Sequence, residues 1–111
     1  MTTEEFESGA VREKLDDVRY DLISPYGLRR LAKTYAEGAK KYSDHNWRKG
    51  MPFSTLLNHV LNHLVDWREE EGNWCDDGSG EDHLAHAAWG LFALMEFEAT
   101  DPELDDLPYF D

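Results

Sequence analysis

The chain has 111 residues, with 24 acidic and 11 basic side chains and a formal charge of −13. That length allows one hydrophobic core and not two, and the charge argues against non-specific binding to nucleic acid or to an anionic membrane. The lone Cys75 excludes an internal disulfide, and with neither a signal-peptide core nor a bilayer-spanning apolar run, a cytoplasmic single domain is expected.

Residues 1–24 carry no sustained period, and no strand pattern or repeat stands out anywhere in the chain. Ser24-Pro25 reads as an N-cap followed by proline at the first helical position, which starts a helix there. Leu28, Leu31, Ala32, Tyr35, Ala36 and Ala39 continue it at three- and four-residue steps to about residue 41. The next ten residues, SDHNWRKGMP, have the composition of an ordered loop weighted by Trp47. A second helix is expected from about Phe53 to Glu71, with Leu56, Leu57, Val60, Leu61, Leu64 and Trp67 inward and Gly72 as its stop. A third runs from about Glu81 to Glu98 and is apolar almost all round between Leu84 and Phe97, as suits the central helix of a small bundle. The fold class is therefore all-α: a single domain over 1–111, with an ordered core over about 20–98 and an acidic, solvated tail over about 99–111.

Charge is unevenly placed. Residues 28–50 hold seven of the eleven basic side chains and two acids, a local net of +5. Residues 66–82 hold eight acids and one base, and the last sixteen residues hold seven acids and no base. On the second helix His59, His63, Asp66 and Glu70 follow at steps of four, three and four, placing two imidazoles and two carboxylates on one strip. His63 and Asp66 form HxxD, and Asp82, His83 and His86 form DHxxH at the start of the third helix. Such pairs on facing helices can converge on one divalent ion, as in the carboxylate-bridged bundles. The carboxylates nearby suit Mg²⁺ or Mn²⁺. The plainer reading is that helical histidines are satisfied by neighbours and acid runs are solvated faces; the density of five such residues in two short windows weighs against it.

The basic island complements that strip. A nucleoside triphosphate needs cations for its phosphates, for which Lys40, Lys41, Arg48 and Lys49 are available, and a flat ring for its base, for which Tyr42 or Trp47 serves. Asn46 is a candidate for a base or sugar hydrogen bond, while Trp47 is equally suited to plugging the loop against the core. A P-loop and a Rossmann fingerprint are both missing from the sequence.

Taken in order, FESGAVRE, RYDLISP, YAEGAKKYSDHNWRKGMP, LNHLVDW and HLAHAA resemble the phage and bacterial dATP/dGTP diphosphohydrolase (N-terminal domain) family over about residues 6–97. That family is similar to the MazG-like all-α nucleotide pyrophosphohydrolases. The resemblance implies a helical fold completed by oligomerisation, a Mg²⁺ or Mn²⁺ cofactor, and cleavage of dGTP or dATP to the monophosphate and pyrophosphate. It places Gly38, Lys40, Lys41, Tyr42, Asn46 and Trp47 in the signature loop, His63 on the second helix, and His83 and His86 on the third. On this reading Asp66, Glu70 and Asp82 coordinate metal, with Glu69 an alternative base for water. His63, His83 and His86 ligate or orient, and Lys40, Lys41 and Arg48 hold the phosphates.

Where relatives tend to read Gly-Glu-Asp-x-Asp-x-Glu-Ser-Gly, residues 72–80 read GNWCDDGSG, so three acids are missing. Two other readings follow from the same residues. One is a non-catalytic acidic protein that sequesters a nucleotide or mimics DNA; the other is a His-and-Asp metal phosphohydrolase releasing phosphate or triphosphate. Partners are expected to be a deoxynucleoside triphosphate and further copies of the chain, with no direct nucleic-acid or membrane binding. The all-round apolar third helix would leave a monomer too exposed.

Overall fold

A computed structural model describes residues 2–69 and 81–109. Three helices make up the body: α1 (Pro25–Lys41), α2 (Phe53–Glu69) and α3 (His83–Thr100). The fold is all-α apart from one small hairpin. Each helix start has a local cause. Ser24 Oγ accepts from Gly27 N at 3.0 Å with Pro25 in the first turn of α1, and Asp82 Oδ1 accepts from Ala85 N at 3.1 Å at the head of α3.

The sequence shows no strand pattern, yet β1 (Thr3–Glu5) and β2 (Val11–Glu13) pair antiparallel, with Glu4 opposite Arg12. Three-residue strands that bury neither face leave no alternation to read. The turn closes through Phe6 N to Ala10 O at 2.9 Å, with Gly9 at φ +91°, a backbone that favours glycine. Every residue from 2 to 24 is exposed. The radius of gyration is 18.4 Å, against roughly 13 Å for a compact chain of this length.

Helices α2 and α3 form the main packing interface. Phe53, Leu56, Ala93 and Phe97 form the buried cluster, flanked by Trp47, Met51, Trp89, Leu94, Leu104 and Leu107. At Gly90 the two helices approach so closely that an added Cβ would lie 2.5 Å from Val60 Cγ2. Gly90→Ala therefore forces the pair apart, and a loss of about 1–3 kcal/mol is expected in chemical denaturation, despite the better helix propensity of alanine.

The inward face of α2 differs from the expected one. Phe53, Leu56, Val60 and His63 are buried, at steps of three, four and three, whereas Leu57, Leu61, Leu64 and Trp67 are exposed. One leucine stripe thus faces solvent, as do Leu91, Phe92 and Met95 of α3, and the histidines of α2 face inward. The segment expected to be a solvated tail packs instead. Leu104 and Leu107 lie against the core, and Asp106 caps α2, its carboxylate accepting from Ser54 N at 2.8 Å and Ser54 Oγ at 2.6 Å. Among the described residues no helix is long and apolar enough to cross a membrane.

Candidate functional site

The loop after α1 is shaped by two backbone features and one large side chain. His45 sits at φ 60°, a left-handed conformation uncommon outside glycine and asparagine, and it leads into a short 3₁₀ turn over Asn46–Lys49. Trp47 turns inward onto Phe97 (ring centroids 5.9 Å) and the edge of Tyr35 (6.3 Å), so it anchors the loop to the core. Gly50, at φ +99°, leaves the turn beside Leu104 of the C-terminal strap. Arg48 lies over the Trp47 ring at 4.8 Å and reaches Glu96 at 3.4 Å.

Between this loop and α2 and α3 lies a cavity of about 1020 Å³. Lys41, Tyr42, His45, Asn46, Trp47 and Lys49 line one part of it. His59, His63, Glu81, His86 and Trp89 line another. The basic island and the histidine strip, read separately from the sequence, thus share one concavity, joined by Glu37 from α1. Of the island's cations Lys41 and Lys49 line it, whereas Lys40 is on the exposed face of α1 and Arg48 is engaged by Trp47 and Glu96.

The histidines are tightly grouped. His63 Nδ1 and His83 Nδ1 are 3.0 Å apart and both side chains are buried. His63 stacks on His86 at 4.8 Å, and His59 meets His63 and Trp89 edge-on at 4.5 and 5.4 Å. Burial, then the neighbouring imidazoles, push His63 below its ordinary value of 6.5; His59 is lowered by burial and by His86, with Glu81 opposing in both cases. Among the described residues, His59 Nε2 is buried without a hydrogen-bond partner. His86 Nδ1 lies 2.8 Å from Asp82 O, and because a carbonyl only accepts, this nitrogen carries a hydrogen and Nε2 is the atom left to face the cavity. That Nε2 is 3.9 Å from Glu37 Oε2.

The depressed values carry a pH dependence whose sign is fixed. With folded-state values below 6.5 for His59 and His63, the unfolded chain takes up more protons as pH falls through that region. Stability is full above 6.5 and drops as pH falls towards the folded-state values. Metal-free protein is expected to melt at a lower temperature at pH 5 than at pH 7.5, and His59→Phe should flatten part of that difference in a thermal scan.

His63, Glu81 and His83 place one ligand atom each within 4.8 Å of one another, and this set can hold a metal ion. Two nitrogens 3.0 Å apart can both face an ion at about 2.1 Å, and the neutral state favoured at His63 is the one a metal requires. Of the six residues expected as ligands, His63 and His83 enter this group. Asp66 is exposed one turn beyond His63, and His86 is turned by its bond to Asp82 O. Glu70, with the segment 72–80, lies outside the described residues.

Asp82, expected as a ligand and a catalytic carboxylate, is otherwise engaged. Its oxygens accept from Arg30 Nε at 2.9 Å and Nη2 at 2.7 Å, and Oδ1 also caps α3. Burial opposes ionisation of Asp82, but the guanidinium and the Ala85 N–H outweigh it and hold the carboxyl below the usual range. Glu69, expected as an alternative base, is exposed and 3.8 Å from Arg68. Sequence reasoning missed Glu81 and Glu37. Glu81 lies outside the i, i+3 pattern on α3, because it precedes the N-cap; its position two residues before His83 was the available signal.

The family model described as dATP/dGTP diphosphohydrolase, N-terminal, matches residues 7–107. The chain belongs to this family. A protein of Salmonella phage PMBT28 named dATP/dGTP diphosphohydrolase is 35% identical over 85 residues, which are 77% of this chain and 28% of that protein. The chain thus spans little more than a quarter of the length of the curated relative it matches. No solved structure matches it.

Proposed function

We propose that the cavity binds a purine deoxynucleoside triphosphate, dGTP or dATP, and hydrolyses it to the monophosphate and pyrophosphate with a divalent ion held by His63, Glu81 and His83. The observation that carries this reading is the single cavity shared by the cationic loop and the histidine group. The name of the Salmonella phage relative supplies the substrate class.

Bound there, the ion supplies Lewis-acid activation of water and of the phosphoryl oxygens. Two imidazoles and one carboxylate suit Mn²⁺ better than Mg²⁺, which prefers an all-oxygen shell. Lys41 and Lys49 face the cavity and hold the phosphates, stabilising the charge that develops on them. Lys40 and Arg48, farther out, contribute long-range attraction. Tyr42, exposed and with Lys41 Nζ 5.3 Å from its ring centroid, offers a ring for the base, since Trp47 is packed on the core, and Asn46 offers hydrogen bonds at the cavity wall. His86, its Nδ1 held by Asp82 O and its Nε2 3.9 Å from Glu37, is placed to exchange a proton with water in the cavity through Nε2. The protein acts as at least a dimer through the exposed leucine stripe of α2 and the neighbouring face of α3.

Incubation of the purified chain with each of the four dNTPs and Mn²⁺ or Mg²⁺, with products separated by ion exchange, tests this. Monophosphate and pyrophosphate from dGTP or dATP support it. Triphosphate or phosphate as product assigns a different phosphohydrolase reaction. Nucleotide binding without turnover assigns a sequestering role, the outcome the three missing acids of residues 72–80 would favour.

A further inference from the structure

Arg30 does not line the cavity, yet it makes a long-range contact at the site's edge. It sits on α1, half-buried, and grips Asp82, 52 positions away in sequence, with two parallel hydrogen bonds of 2.9 and 2.7 Å. Asp82 is flanked on one side by Glu81 and on the other by His83, two of the three groups that converge as a candidate metal set. The same carboxylate caps α3 through Ala85 N at 3.1 Å, and its backbone oxygen fixes the His86 ring at 2.8 Å. One residue therefore governs where α3 begins, how it is rotated about its axis, and where the side chains on either side of it point.

We infer that the Arg30–Asp82 pair is a positioning clamp that presents Glu81 and His83 to His63 for metal binding, and that neither clamp residue is itself a ligand. The inference rests on the metal reading proposed above.

The geometry favours a clamp over a surface ion pair for two reasons. The Arg30 and Asp82 side chains are only 21% and 15% exposed, so the pair is shielded from the solvent that weakens exposed bridges. The contact is also bidentate, and a planar guanidinium fixes the orientation of its partner where an ammonium fixes only a distance. The Asp82 carboxylate, held by Arg30 and by the N-terminus of α3, is not among the three groups that converge. Arg30 thus keeps Asp82 occupied and puts the ligating role on its two neighbours. Outer groups that orient metal ligands typically change metal affinity by roughly 10–100-fold when removed.

The test is a Mn²⁺ titration of the full chain, followed by calorimetry or by the loss of free-ion electron paramagnetic resonance signal, well below each variant's melting temperature. Arg30→Gln and Asp82→Asn remove the ion pair, while the asparagine oxygen still caps Ala85. Each is expected to lower Mn²⁺ affinity by roughly 10–100-fold, and the double variant to lose no more than either single one, because the two residues act as one unit. Arg30→Lys, which keeps charge without the fork, should fall between. Asp106→Ala, which loosens the strap at the far end of α2, controls for general destabilisation and should bind Mn²⁺ like the parent.

If Asp82→Asn loses far more affinity than Arg30→Gln, Asp82 is a ligand and the clamp is wrong. Unchanged Mn²⁺ affinity in both variants makes the pair purely structural and also overturns it. A parent chain that binds no Mn²⁺ brings down the metal reading, and the clamp with it, which separates that failure from the other two.

Discussion

Glu81→Gln is expected to cut Mn²⁺ affinity by at least tenfold and dNTP turnover by at least a hundredfold, with helix content unchanged by circular dichroism. Glu81 is more than half exposed and sits ahead of α3, so its removal disturbs no packing. What it removes is the one anionic donor of the set, leaving two imidazoles. His83→Ala should be as damaging to metal binding but also costs stability, because His83 is buried against His63. Glu69→Gln, by contrast, should leave both quantities near the parent's, its side chain being exposed beside Arg68. Equal loss in Glu69→Gln and Glu81→Gln would return the site to the helical carboxylates.

Leu61→Asp combined with Met95→Asp is expected to convert a dimer to a monomer in sedimentation or light scattering, shifting the dissociation constant by a hundredfold or more. Leu57, Leu61, Leu64, Val65 and Trp67 on α2, with Leu91, Phe92 and Met95 on α3, are each between 37% and 57% exposed. Together they offer apolar surface on the order of 600 Å² per copy, near the roughly 800 Å² per partner of a standard interface. Exposed apolar area of this size favours association between copies. The patch lies apart from the cavity residues, so a monomeric variant that still binds Mn²⁺ is also expected.

How far the sequence carried these conclusions varied with the range of the interaction. Ser24-Pro25 placed the start of α1 because capping is decided within four residues. The near-continuous apolar run of α3 likewise identified the central helix. The face of α2 was not legible in the same way. It carries two stripes, leucines at 57, 61 and 64 and histidines at 59 and 63, and hydrophobicity alone turns the leucines inward. The opposite occurs because His63 meets His83 and His86 across the interface, a contact twenty or more residues away in sequence.

The same limit explains Asp82. Spacing put it in a DHxxH motif, but its partner is Arg30, which no local pattern connects to it. Composition misled at the C-terminus, where the acids of residues 101–109 dominate the count while Leu104, Leu107 and Asp106 make the contacts. The island and the strip were each visible as local charge and spacing; that they line one cavity is a property of the fold alone.

The most direct test is a titration of Mn²⁺ into the chain with and without a non-hydrolysable dGTP analogue, paired with the reverse titration. If loop and histidine group form one site, each ligand raises the affinity for the other by the same factor, about tenfold or more. Nucleotide and metal that bind with affinities indifferent to one another would contradict the shared site.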